Sequence, residues 1–123
     1  MKKIIAKAIH IPLVLFPFEV LVCLGGDKQF VIKNIKKFGY TPDTEEEGHI
    51  TMIGQGKCVM LKNSATIIWL KNYPRAGSGV LAHEIFHATD FILDKMGIKH
   101  TDSSDEVWAY VIEYLTKEIH KNL

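Results

Sequence analysis

The pentapeptide His83-Glu84-Ile85-Phe86-His87 constrains the fold more than any other stretch of this 123-residue chain. A helix turns by about 100° per residue, so two histidines four positions apart lie on one face, about one turn from each other. Two imidazoles in this arrangement can bind one Zn²⁺ from the same side, and the glutamate between them can take a proton from a water that the metal activates. The H-E-x-x-H pattern therefore predicts a zinc-binding helix.

The residues around the pentapeptide also predict a helix, since residues 79–96 are apolar around most of its circumference. An apolar stripe at helical spacing runs through Leu81, Ile85, Ala88 and Ile92. A polar line follows His83, His87, Asp90 and Asp94. A helix that is apolar nearly all round is usually buried, and an unsatisfied buried polar group costs about 1–3 kcal/mol. The histidines therefore either bind a metal or form hydrogen bonds as core residues, with Glu84 solvated beside them.

A catalytic zinc site usually has three protein ligands, so a third donor is expected. Residues 103–122 predict a second helix, and Glu106 lies in its first turn, 19 residues after His87. Here the chain resembles the gluzincins, the thermolysin-like zinc peptidases, whose third ligand is a glutamate on the following helix. The resemblance implies that His83, His87 and Glu106 are the metal ligands and that Glu84 is the general base. The chain does not match the metzincins, because Asp90 and Leu93 stand where that class has Gly and His.

Other roles for these residues stay open. Ser103 and Glu106 match a capping box, in which the glutamate only reaches back to the start of its own helix, and Asp105 is a competing carboxylate ligand. Tyr110 lies on the same helical line as Glu106 and either stabilises a developing oxyanion or packs as a half-buried side chain. It stands where the thermolysin pattern has a metal-orienting aspartate, so Asp90 is the first candidate to orient the histidines.

A narrower resemblance covers most of the chain. The segments VLAHEIFHATDFILDKMGI and SSDEVWAYVIEYLTKEI are similar to small single-domain metallopeptidases encoded by bacteriophages and prophages. The most specific element is D-E-x-x-A-Y, which begins at Asp105. The resemblance implies one zinc ion per chain and a peptide or protein substrate. A cytoplasmic location is expected from the two cysteines, which are typical of buried thiols in a reducing compartment; if the chain is phage-encoded, this is the host bacterium's cytoplasm.

The length fits one domain over residues 1–123, with residues 1–76 mainly sheet plus one helix and residues 77–123 the zinc-site helices. Strands are predicted at 8–15 and 18–24, a helix at 27–38, a polar loop at 40–48 and three further strands between 49 and 70. This order predicts an α+β fold with a mixed or antiparallel sheet of about four or five strands, covered by helices on one side. The metal-site resemblance adds that the domain is zincin-like.

The net charge, the N-terminal segment and the cysteines each bear on the class of protein. The net charge of +1 gives no electrostatic basis for binding nucleic acid. The apolar run after Met1-Lys2-Lys3 is broken by Lys7, His10, Pro12, Pro17 and Glu19, which argues against both a signal peptide and a membrane span. The two cysteines, Cys23 and Cys58, are expected to be free thiols in a reducing compartment.

The strand that ends just before the zinc helix is expected to bind substrate. In the gluzincins an edge strand in this neighbourhood pairs with an extended peptide, and the resemblance suggests Thr66, Ile68 and Leu70 for this role. Free N–H and C=O groups at a sheet edge can add a peptide strand. Alternatively, residues 67–69 simply pack in the core.

Three functions fit the sequence. The first is a zinc metallopeptidase. The second is another zinc hydrolase, such as a deformylase-like amidase, in which Cys58 is a thiolate ligand and the segment GQGKCVML is a loose counterpart of the deformylase glycine loop and Cys-Leu element. The third is a zincin-fold binding protein without useful turnover. Fold alone does not decide among them.

Overall fold

A computed structural model describes residues 6–13, 17–62, 65–71 and 77–123. Within these ranges the chain forms an α+β domain of four strands and four helices. In chain order they are β1 (Lys7–Pro12), β2 (Glu19–Leu24), α1 (Lys28–Lys37), α2 (Thr44–His49), β3 (Gly56–Met60), β4 (Ala65–Leu70), α3 (Gly77–Lys95) and α4 (Asp105–Lys121). The predicted residues 14–15 of the first strand, the turn at 63–64 and most of the predicted loop at 71–79 lie outside the described residues.

The four strands form one mixed sheet in the order β1-β2-β4-β3. Strand β2 pairs antiparallel with β1 and parallel with β4, whereas β3 pairs antiparallel with β4. The two central strands read EVLVCL and ATIIWL, near-continuous apolar runs of the kind that both faces of a sheet bury. Strands β1 and β3 are therefore the two edges of the sheet.

Helices cover both faces of this sheet, so the prediction of one-sided coverage was wrong. Alternate residues of β2 point to opposite faces. Val20, Val22 and Leu24 pack with α3 and α4, while Leu21 and Cys23 pack with α1. Because both faces of the central strands are apolar, a helix on each side is needed to bury them.

The segment between α1 and β3 also differs from the prediction. Residues 44–49, predicted as loop, form α2, because the Asp43 side chain accepts from the Glu46 backbone N–H and the Glu46 side chain accepts from the Asp43 backbone N–H. This capping box stabilises the helix start. The strand predicted at 49–54 is absent, since α2 runs to His49 and residues 50–53 are irregular. The sheet of the described residues accordingly has four strands.

The two C-terminal helices are close to their predicted bounds. Helix α3 ends in a Schellman motif, in which the Ile98 N–H donates to the Leu93 carbonyl and the Gly97 N–H donates to the Asp94 carbonyl. Gly97 has φ of 74°, a left-handed conformation that suits glycine. The motif turns the chain towards α4. Among the described residues, no helix is long and apolar enough to cross a membrane.

Replacement of Gly97 by alanine tests this turn. No atom lies within 4 Å of a Cβ added there, so the cost comes from the left-handed backbone alone. We expect Gly97→Ala to lower the free energy of unfolding by about 1–2 kcal/mol in urea titrations. The matched control is Gly48→Ala in α2, which also has open space but lies in a helix, and it should be neutral or slightly stabilising. Equal effects of the two changes would contradict the assignment.

Candidate metal and catalytic site

Helix α3 fixes the direction of the H-E-x-x-H side chains through its buried face. Leu81, Ile85, Ile92 and Leu93 are each at most 2% exposed and belong to the core cluster that α3 shares with the sheet and α4. Burial of such a side chain contributes about 1.5–3 kcal/mol. The histidines lie on the outer side of the helix, where the His83 side chain is 67% exposed and His87 is half-buried. The hypothesis of core histidines is therefore wrong for His83.

The imidazole rings of His83 and His87 direct their Nε2 atoms towards each other. Their Nε2 atoms lie 3.1 Å apart, and the rings are edge to face with centroids 4.7 Å apart. Two nitrogen ligands of a tetrahedral zinc, each 2.0–2.1 Å from the metal, lie about 3.3 Å from each other. The observed separation is close to this value. It also allows a hydrogen bond between one protonated and one unprotonated Nε2.

Glu84 occupies the boundary between the histidines and the sheet. Its side chain is 7% exposed, and its Oε1 lies 3.9 Å from Nε2 of His83. Burial raises the pKa of this carboxyl group above its ordinary value of 4.5, while His83, His87 and Lys57 act in the opposite direction. A buried carboxylate with a raised pKa beside a metal-donor pair has the properties of a general base.

A cavity of about 330 Å³ opens beside Glu84. It is lined by Gln55, Gly56, Gly79, Val80, His83 and Glu84. Its walls are the start of β3 and the first two turns of α3. None of Gln55, Gly56 and Val80 was predicted as a residue of the peptidase site. The available signal was Gly56, a predicted turn residue that the structure places in β3, because a glycine in a strand often marks a close approach of other atoms.

The predicted third ligand, Glu106, lies exposed in the first turn of α4. The capping-box alternative is wrong, because α4 begins after Ser104 and has no side-chain cap hydrogen bond. The competing carboxylate of Asp105 lies 3.0 Å from Nε2 of His100. Across the residues that the structure describes, no group of three metal-donor side chains is assembled. The structure thus brings His83 and His87 together, and Glu106 as the third ligand stays a prediction.

The packing of α4 on α3 nevertheless brings its beginning close to the histidine pair. The ring centroids of Trp108 and Phe86 lie 5.7 Å apart, and those of Phe86 and His87 lie 6.0 Å apart. The His100 ring stacks on the Trp108 ring, with the two ring centroids 4.3 Å apart. Trp108, in the first turn of α4, therefore packs beside the turn of α3 that carries His87.

The two accessory residues predicted from the sequence are both exposed. Tyr110 is 66% exposed, and Asp90 lies on the solvent side of α3. The hydrogen bonds recorded for the described residues include none between Asp90 and either histidine. The roles of Tyr110 as an oxyanion donor and of Asp90 as an orienting residue stay predictions.

The predicted substrate-binding strand was placed wrongly. Strand β4 is central, hydrogen-bonded to β2 on one side and to β3 on the other. Thr66, Ile68 and Leu70 are at most 3% exposed, so they pack in the sheet and have no free backbone edge to offer a peptide. The edge strand that borders the cavity is β3.

Cys58 also lies on the α3 side of β3, where it packs against the core cluster of α3 and α4. Burial raises the pKa of its thiol, and the nearby Glu84 carboxylate raises it further. The thiol is therefore protonated at neutral pH unless a metal displaces the proton. Cys23 is fully buried, and burial raises the pKa of its thiol to about 12. Both cysteines are free thiols, as predicted.

Comparisons of the chain with protein-family models, with curated proteins and with solved structures found no match. The resemblance to small phage metallopeptidases therefore stays a prediction. The function has to be argued from the geometry of the site.

The raised pKa of Glu84 predicts a stability difference in metal-free protein. A carboxyl group whose pKa is higher in the folded state than in the unfolded state contributes stability below the unfolded value, and this stability is lost as pH rises through the folded value. We expect metal-free Glu84→Gln to be more stable than the wild type at pH 7 in denaturant titrations, with a difference that narrows as pH falls through the raised folded-state pKa and is smallest at pH 4.5 and below. Glu113→Gln, which removes an exposed carboxylate of α4, is the control and should give no such gain. Lower stability of Glu84→Gln at pH 7 would contradict the prediction.

Proposed function

We propose that the chain is a zinc-dependent metallopeptidase. The observation that carries this proposal is the pair of Nε2 atoms 3.1 Å apart, with the buried carboxyl group of Glu84 beside them at the wall of a cavity. Exposed histidines have no need to direct the same nitrogen at each other, because water satisfies them separately. Their convergence fits a shared ligand.

His83 and His87 would hold the zinc ion, with Glu106 as the proposed third ligand. Asp105 is a weaker candidate because it already pairs with His100, whereas no such pairing competes for Glu106 among the described hydrogen bonds. When bound, zinc lowers the pKa of a coordinated water to about 7 and polarises a carbonyl group.

Glu84 performs the proton transfers in this proposal. Its carboxylate accepts a proton from the attacking water and returns it to the leaving nitrogen of the peptide. The raised pKa of Glu84 suits both steps, because it brings the affinity of the base for a proton closer to neutral pH.

The proposed substrate is an extended peptide that adds to the edge of β3 that no described strand covers. The Lys71 N–H donates to the Gln55 carbonyl and the Leu61 N–H donates to the Ala65 carbonyl, so odd-numbered residues of this segment face β4. Hydrogen-bonded and non-hydrogen-bonded pairs alternate in antiparallel strands, and Gly56, Cys58 and Met60 therefore direct their N–H and C=O groups outwards. Gly56 places the start of this edge in the cavity wall beside Glu84.

A second candidate is a deformylase-like amidase in which Cys58 replaces Glu106 as a ligand. One observation favours it: the Cys58 thiol lies on the face of β3 turned towards α3, close enough to Glu84 for that carboxylate to raise its pKa. Gln55 in the cavity wall belongs to the segment GQGKCVML, the loose counterpart of the deformylase glycine loop. The ligand set separates the two candidates.

Zinc content decides the ligand set. We expect about one zinc per chain in wild-type protein purified without added metal, and loss of most of it in His87→Ala and in Glu106→Ala. Asp105→Ala is the matched control, since it removes the neighbouring exposed carboxylate, and it should retain zinc. Elemental analysis of the purified variants is the measurement. Loss of zinc in Cys58→Ser with retention in Glu106→Ala would favour the amidase. A folded wild-type protein that does not bind zinc would contradict both candidates.

Peptide cleavage tests the general base. We expect zinc-loaded wild type to cleave members of a broad peptide library, and Glu84→Gln to lower kcat by about 10²–10⁴-fold while it keeps its zinc. Glu113→Gln should leave cleavage unchanged. Mass spectrometry of the digested library gives the rates and the cleavage positions. Equal cleavage by Glu84→Gln would remove this residue from the mechanism, and tight zinc binding without any cleavage would indicate a binding protein.

A further inference from the structure

Gly56, the first residue of β3, packs closely against helix α3. A Cβ added to Gly56 would lie 3.0 Å from Cγ1 of Val80, 3.2 Å from Cγ of Glu84 and 3.2 Å from Cδ2 of Leu70. Ordinary van der Waals contacts between such carbon atoms are about 3.5–4.0 Å. No room therefore exists for a side chain at this position unless its neighbours move.

The requirement for glycine here comes from space and not from backbone conformation. The glycines with positive φ are at positions 25, 26, 39, 54 and 97, and Gly56 is not among them. By contrast, a Cβ added at Gly39, Gly48, Gly54, Gly79 or Gly97 meets nothing within 4 Å. Gly56 is thus distinguished by its contacts with α3.

Two of the three contacted atoms belong to α3, and one of them is in Glu84. The contacted Cγ of Glu84 carries the carboxyl carbon directly, so any displacement of Cγ is passed to the carboxylate. A methyl group at position 56 would push β3 and α3 apart at the wall of the cavity. The third contact, with Leu70, limits how far the methyl group itself can retreat into the sheet.

We propose that Gly56 is a positioning residue, whose missing side chain lets Glu84 hold its carboxyl group at the cavity wall beside His83. The role in catalysis rests on the proposed function of Glu84 as general base. The packing relation itself rests on the distances from a Cβ at position 56 to its neighbours.

The test compares four proteins: wild type, Gly56→Ala, Val80→Ala and the double variant. Val80 makes the shortest contact, so Val80→Ala should return the space that the alanine at position 56 takes. The measurements are zinc content, kcat and KM for a peptide cleaved by the wild type, and the carboxyl ¹³C signal of Glu84, assigned by its absence in Glu84→Gln. Gly48→Ala, in the remote helix α2, is the control for a glycine substitution in itself.

We expect Gly56→Ala to keep its zinc, to lose about tenfold to hundredfold in kcat with little change in KM, and to shift the Glu84 carboxyl signal. The double variant should recover most of kcat relative to Val80→Ala and restore the signal. Should Gly56→Ala fail to fold, Val80→Ile adds a methyl group at the same contact from the helix side and should shift the signal in the same way.

An unchanged Glu84 signal and a kcat within about twofold of wild type in Gly56→Ala would overturn the proposal. A signal that stays shifted in the double variant would overturn the role of the Val80 contact. If the wild type cleaves no peptide, the proposed function fails separately, because the carboxyl signal still decides whether Gly56 positions Glu84.

Discussion

The site depends on the way helix α3 is divided between the core and the solvent. Its buried aliphatic side chains each contribute about 1.5–3 kcal/mol, whereas a hydrogen bond between two histidine rings contributes about 0.5–1.5 kcal/mol. Apolar packing against the sheet and α4 therefore sets the rotation of the helix about its axis. That rotation directs His83 and His87 to the outer side of the helix, and their spacing of four residues places them one turn apart on that side.

The same rotation explains why Glu84 and His83, neighbours in sequence, have such different surroundings. One residue is about 100° of helix rotation, which moves the side chain from solvent to the interface with β3. The exposed fraction falls from 67% for His83 to 7% for Glu84. A carboxyl group in that interface is costly to ionise, and proteins tolerate such a cost mainly at functional sites.

Periodicity was sufficient to predict α1, α3, α4, β2 and β4, because each has a strong local pattern and its own start or stop signal. It failed for residues 49–54, whose alternation resembles a strand: α2, whose start is stabilised by the capping box of Asp43 and Glu46, runs to His49, and residues 50–53 are irregular. It also failed for the substrate-binding strand. Strand order is a non-local property: β4 lies between β2 and β3, and nothing in the sequence of β4 itself distinguishes a central strand from a packed edge. The wall of the cavity was missed for the same reason, since Gly56 meets Val80 only through tertiary packing.

The two edges of the sheet are unequal, and their difference bears on where a peptide can bind. The Leu13 N–H donates to the Phe18 carbonyl, so in β1 the even-numbered residues face outwards. One of them is Pro12, which has no N–H, and its carbonyl accepts a hydrogen bond from the Tyr114 hydroxyl of α4. Proline is a common means of protecting an edge strand from added strands. The outward groups of β3 have no such partners among the described residues, and this edge starts at the cavity beside Glu84. The peptide substrate that we propose would therefore meet a defined hydrogen-bonding register, because the edge of β3 that no described strand covers lies next to the proposed base.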